Sequence, residues 1–109
     1  MIKLIKVDKD SRILYVDDDF LGIENDNNVD ILRFQFDDLI YGEARLLTNI
    51  KKDDENVFFS LNLNEKEKSY DLVVTKELLL NEYLEIQLQI VSENEVIWHS
   101  LQTELHVDD

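Results

Sequence analysis

The chain has 109 residues, 25 of them acidic and 11 basic, giving a formal net charge of -14. That field repels phosphate backbones and anionic lipid headgroups, and no run of Lys and Arg counters it, so neither nucleic acid nor a membrane is an expected partner. Cysteine is absent, which removes disulfides, thiolate catalysis and Cys-ligated metals, and no apolar run approaches the ~20 residues of a membrane-spanning helix.

The length suits one domain over residues 1–109, with an expected radius of gyration of roughly 13 Å. The opening residues lack the long apolar core of a signal peptide, so synthesis in the cytosol is expected. There is no proline and there are only two glycines, Gly22 and Gly42. Turns must then be built from Asp, Asn, Lys and Glu, of which Asn and Asp best tolerate left-handed backbone.

Residues 2–7 read as a first strand, and Asp8, Lys9, Asp10 and Ser11 as a tight polar turn into a second strand over 12–16. Residues 17–28 form an acidic connection in which Phe20, Leu21 and Ile23 suggest a short strand or a loop folded over the edge of the core. In residues 29–36, Leu32, Phe34 and Phe36 alternate with Arg33 and Gln35, the period of a half-buried strand. Ala44, Leu46, Thr48 and Ile50 repeat that period across 43–50. After a charged turn, Val57, Phe59, Leu61 and Leu63 alternate with Phe58, Ser60 and Asn62, so 43–50 and 57–63 read as a hairpin.

Tyr70, Leu72 and Val74 form another period-two set. Residues 76–81 are the one plausible helical turn, with Thr75 as its N-cap. The cleanest strand is 83–91, where Leu84, Ile86, Leu88 and Ile90 face away from Glu85, Gln87 and Gln89. Residues 96–98 and 101–107 close the chain as a hairpin or two linked edge strands. The expected fold is all-β, an antiparallel β-sandwich of about eight or nine short strands. Its core is expected to hold Leu32, Phe34, Leu46, Phe59, Leu61, Leu72, Leu84, Ile86, Leu88 and Trp98.

Several groups invite a chemical reading. Asp17, Asp18 and Asp19, with Glu24, Asp26 and Asn27, supply oxygen ligands of the kind Ca²⁺ takes. They miss the glycine and terminal glutamate of an EF-hand loop, and solvated turn residues are the preferred reading. His99 and His106 flank Ser100, and with Glu104 they would suit Zn²⁺ if they met across a hairpin; polar edge-strand residues are the simpler assignment. Ser100 beside His99 lacks the strand–elbow–helix setting of a nucleophile. Tyr15, Tyr41, Tyr70, Tyr83 and Trp98 offer a platform for a sugar or peptide, although most strand aromatics pack into cores. No catalytic residue, cofactor or metal is therefore assigned, and no enzyme activity is expected.

The segments "YVDDDFLGIENDNNVDILRFQFD", "SYDLVVTKELL", "LEIQLQIV" and "LQTELHV", preceded by the charged opening hairpin, cover nearly the whole chain. In style and spacing they resemble the small N-terminal β-sandwich attachment domains of Gram-positive phage baseplate upper and tail proteins. That resemblance implies a non-catalytic structural domain that docks onto other tail or baseplate proteins, with homo-oligomerisation and a place in the virion after assembly in the host cytoplasm. The alternative is a carbohydrate-binding module. For docking, residues 2–7 and 101–107 are expected to be edge strands, guarded by Lys3 and Lys6 at one end and by Glu104 and His106 at the other.

Overall fold

A computed structural model describes the chain except for Met1, Asp19, Leu21, Asp26, Asn27, Lys51, Asp54, Glu77, residues 79–82, Leu101, Gln102, Asp108 and Asp109, and except for the side chains of residues 22–25, 83–84 and 103–107. Eleven strands are described: β1 (Ile2–Val7), β2 (Ile13–Asp17), β3 (Gly22–Asn25), β4 (Ile31–Phe36), β5 (Glu43–Ile50), β6 (Glu55–Ser60), β7 (Asn62–Asn64), β8 (Ser69–Val73), β9 (Tyr83–Ser92), β10 (Glu95–His99) and β11 (Thr103–Val107). They form two sheets. The first has the order β2-β1-β4-β8-β7, and the second β3-β11-β9-β5-β6, with β10 also paired to β9. Every pairing is antiparallel except β11 with β3, which is parallel. The sandwich expected from the alternating pattern is the fold this chain adopts, and its radius of gyration is 13.1 Å.

The core forms where the inward faces of the two sheets meet. Leu4, Leu32, Phe34 and Leu72 come from the first sheet, and Ala44, Leu46, Ile86, Leu88 and Ile90 from the second, all buried. Thr48 occupies an inward position on β5 and is fully buried. Its hydroxyl donates to the Val57 carbonyl at 3.0 Å, so the burial leaves no orphaned donor. An aromatic column ties the layers together. Tyr70 on β8 meets Phe36 on β4 edge-on with ring centroids 5.8 Å apart, and Phe36 meets Trp98 on β10 at 5.2 Å. Such edge-to-face pairs add about 0.5–1.5 kcal/mol beyond the area they bury.

Of the expected core, Leu32, Phe34, Leu46, Leu61, Leu72, Ile86 and Leu88 are buried, and Phe59 and Trp98 are half-buried against them; the side chain of Leu84 lies outside the described residues. Residues 57–63 do not form one strand. The chain leaves the second sheet after β6, buries Leu61, whose N–H donates to the Ala44 carbonyl at 3.0 Å, and joins the first sheet as β7. Alternation continues through this crossing, so the pattern hides it, and Leu63 ends up exposed.

The two end strands are also corrected. β1 lies between β2 and β4, and β11 lies between β3 and β9, so neither is an edge. Folding residues 13–17 back on β1 covers one of them, and the parallel pairing of β3 covers the other. Lys6, expected as an exposed guard, is buried.

Turns are made largely without glycine. Glu93 and Asn94 have φ of 51° and 66° between the paired residues Ser92 and Glu95, which is the two-residue hairpin turn with both central residues left-handed. Gly42 has a different purpose: a Cβ there would lie 2.8 Å from both the Val91 carbonyl oxygen and Ile90 Cγ2. Only glycine lets β5 start this close to β9.

Tyr70 is buried and its phenol donates to the Ile40 carbonyl. Burial pushes this phenol above its ordinary value of 10.0, and the nearby Tyr41 adds to the shift. Because the folded-state pKa is raised, the stabilisation is complete below about pH 10 and is lost as pH climbs past it. In an ultraviolet titration, one of the four tyrosines should ionise after the others and together with alkaline unfolding. Tyr70→Phe should abolish that late component and, by stranding the Ile40 carbonyl, lower stability by about 1 kcal/mol.

Candidate functional site

The β1–β2 hairpin carries the most unusual surface. Its turn is fixed by Asp8, whose Oδ1 accepts the N–H groups of Asp10 at 2.8 Å and Arg12 at 2.9 Å. Ser11 N–H donates to the Asp8 carbonyl at 3.1 Å, Asp8 N–H donates to the Arg12 carbonyl at 3.0 Å, and Ser11 sits at φ 63°. This is a three-residue hairpin loop built as a type I turn followed by one left-handed residue. It throws β2 back along β1 with Ile5 opposite Val16 and Lys6 opposite Tyr15.

Successive residues of a strand point to opposite faces. Yet Ile13, Leu14, Tyr15 and Val16 are all exposed, at 60, 44, 57 and 42 %. β2 therefore has cover on neither face and, at the end of its sheet, a neighbour on only one side. The Lys6 ammonium sits 5.3 Å from the centre of the Tyr15 ring, within range of a cation–π attraction. At the far end of the strand, Asp17 Oδ1 accepts the Phe20 N–H at 3.1 Å. This helps to hold Phe20 at φ 47°, a strained conformation for a bulky residue, while its buried ring packs edge-on to Phe34 at 5.3 Å.

A second feature is an open cleft of about 570 Å³ where the chain crosses from β6 to β7. Its walls include Gly42, Arg45, Phe58, Asn62, Leu63 and Tyr70. The Arg45 guanidinium lies 4.3 Å from the exposed Phe58 ring, and its Nε donates to Gln89 Oε1 at 2.9 Å.

The residues singled out in the sequence do not converge. Asp17 is engaged with Phe20, and Asp18 Oδ1 lies 3.7 Å from the Lys3 ammonium. Asp19, Asp26, Asn27 and the side chain of Glu24 lie outside the described residues. His99 and His106 do not pair across a hairpin. β10 and β11 lie end to end along the same side of β9, with His99 opposite Gln89 and Leu105 opposite Tyr83. Six residues of β9 separate those levels, about 20 Å of strand, so the backbone does not bring the two residues together. The side chains of His106 and Glu104 are not described. Among the described residues, no three of His, Asp and Glu come together as a metal-binding group.

The aromatic residues scatter in the same way. Tyr70 is in the core, Trp98 is half-buried, Tyr15 and Tyr41 are exposed on different elements, and the Tyr83 side chain is not described. Sequence reasoning passed over β2 as a site, although the unalternating run Ile13–Leu14–Tyr15–Val16 was its signal. Comparison with family models, with curated proteins and with solved structures finds no match to this chain.

Ser100 proves to be a structural residue. It is buried, its N–H donates to the Leu88 carbonyl at 2.9 Å, and its hydroxyl accepts the Leu88 N–H at 3.0 Å. The side chain thus stands in for a backbone carbonyl where β9 changes partner from β10 to β11. Ser100→Ala leaves a buried N–H unpaired and should cost about 1–3 kcal/mol in denaturant unfolding. Ser100→Thr, which keeps the hydroxyl, should recover part of that loss.

Proposed function

We propose that this chain is a non-catalytic structural and attachment domain of a phage tail or baseplate, acting by docking onto other tail or baseplate proteins. It takes its place in the virion after assembly in the host cytoplasm. The observation that carries this reading is β2, four consecutive exposed apolar residues on a strand with an open edge. An exposed apolar edge strand is a hazard for a solitary protein, and natural proteins cover or blunt such edges. Covering it with a partner's strand provides backbone hydrogen bonds for affinity and side-chain contacts for selectivity. The phage assignment rests on the sequence segments that resemble baseplate attachment domains. The net charge of -14 favours protein partners over nucleic acid or anionic membranes.

One observation favours a carbohydrate-binding module as the second reading. The cleft beside Phe58 combines an exposed aromatic ring with Arg45 and Asn62 as hydrogen-bonding groups, the mixture a sugar needs. The cleft and β2 are separate surfaces, so the readings can be tested apart. Co-expression with the products of neighbouring genes, followed by size-exclusion chromatography, should give a complex containing a tail or baseplate protein. Failure to form any such complex, together with saturable glycan binding lost in Phe58→Ala, would favour the sugar reading.

A further inference from the structure

We propose that β2 pairs antiparallel with β2 of a second copy of this chain, joining two five-stranded sheets into one continuous sheet across a twofold axis at Tyr15. The proposal rests on the docking reading above and names the partner for this edge.

Three observations select a second copy. The first is the edge itself. β2 has only β1 beside it, so a row of its backbone donors and acceptors faces outward. Its register on β1 skips Leu14, between Ile13 opposite Val7 and Tyr15 opposite Lys6, but residues 13–16 contain no charge or proline to discourage pairing. Other described edges are less suitable. β7 has three residues, two of them asparagine. β3 has four residues, one of them Glu24; β6 begins at Glu55 after two aspartates in the preceding turn, and β10 begins at Glu95 after Glu93.

The second is local charge. Two molecules of net charge -14 repel one another, but residues 1–18 carry four cations, Lys3, Lys6, Lys9 and Arg12, against four aspartates. The hairpin is neutral in its side chains, so the remaining residues hold all of the excess negative charge. Two copies approaching through β2 thus meet at a surface without the excess negative charge carried by the rest of the chain.

The third is self-complementarity. In a symmetric antiparallel pair the axis passes through one residue facing itself. With Tyr15 at the axis, Leu14 lies opposite Val16 of the second copy, Ile13 opposite its Asp17 and Arg12 opposite its Asp18, and symmetry makes each contact twice. Beyond the Ile13–Asp17 pair, opposite charges flank the apolar centre at both ends, an arrangement that stabilises cross-strand pairs. An edge paired with itself is also used up in both molecules, so the assembly stops at the dimer.

The test is sedimentation equilibrium of the full chain over a wide concentration range at physiological salt. Wild type should pass from 12.9 kDa toward twice that mass. Leu14→Lys, at an exposed position, should stay at the monomer mass. Arg12→Asp places carboxylates opposite one another at both ends and should weaken the dimer about tenfold or more. Adding Asp18→Arg to that variant reverses both charges and should restore it. Circular dichroism and melting curves check that each variant is folded, and the charge-reversal pair decides the matter if Leu14→Lys unfolds. A wild type that stays monomeric throughout would overturn self-pairing, while co-elution with a tail or baseplate protein would still uphold the docking reading. A wild-type dimer unaffected by Leu14→Lys and Arg12→Asp would overturn β2 as the interface.

Discussion

The ten residues of β9 are held by β5 along one side and by β10 and then β11 along the other, while Ile86, Leu88 and Ile90 pass completely out of water on its inner face. Much of the second sheet takes its position from this strand. β5 lies so close to it that residue 42 can only be glycine, and β6 follows from the register of β5. On the other side two strands share one edge, and the Ser100 hydroxyl fills the place where neither can supply a carbonyl. Inner-face burial then fixes the first sheet, because Leu32, Phe34 and Leu72 have the same apolar layer to cover. Removing a fully buried leucine from such a layer costs about 2–5 kcal/mol, a large part of the stability of a domain this size.

That core also sustains strained turns. Ser11, Phe20, Lys68, Glu93 and Asn94 all have left-handed backbone, which costs roughly 1–2 kcal/mol for an ordinary L residue. Local bonds offset part of the cost. Asp8 holds the Ser11 turn, Asp17 holds Phe20, and Asn64 Oδ1 accepts the Glu67 N–H at 3.2 Å just before Lys68. Of the residues that looked like metal ligands in the sequence, Asp17 thus accepts a backbone N–H and Asp18 faces the Lys3 ammonium.

The alternating strands were legible because half-burial imposes period two on β4, β5 and β9. Thr75 was legible as a cap, and its hydroxyl accepts the Leu78 N–H at 3.4 Å. What lay hidden was pairing. Periodicity reports which face a residue takes and says nothing about which strand lies alongside, so β1 and β11 read as edges although both are interior. The crossing at Leu61 was hidden because alternation survives the change of sheet. Leu78 is fully buried, yet the run Leu78, Leu79 and Leu80 is too short to define an amphipathic face in the sequence. At β2 the pattern was visible but open to two meanings, since an apolar run without alternation describes a strand buried on both faces or one covered on neither.

The molecule thus combines a closed centre at β9 with an open, neutral and apolar edge at β2. Residue-resolved amide hydrogen exchange on dilute protein tests that contrast directly. Inward-facing positions of β9 such as Ile86 and Leu88 should exchange only through global unfolding, while the amides on the outer edge of β2, outside any strand ladder in the monomer, should exchange far faster. Equal protection of β2 and β9 in a sample verified as monomeric would contradict the account.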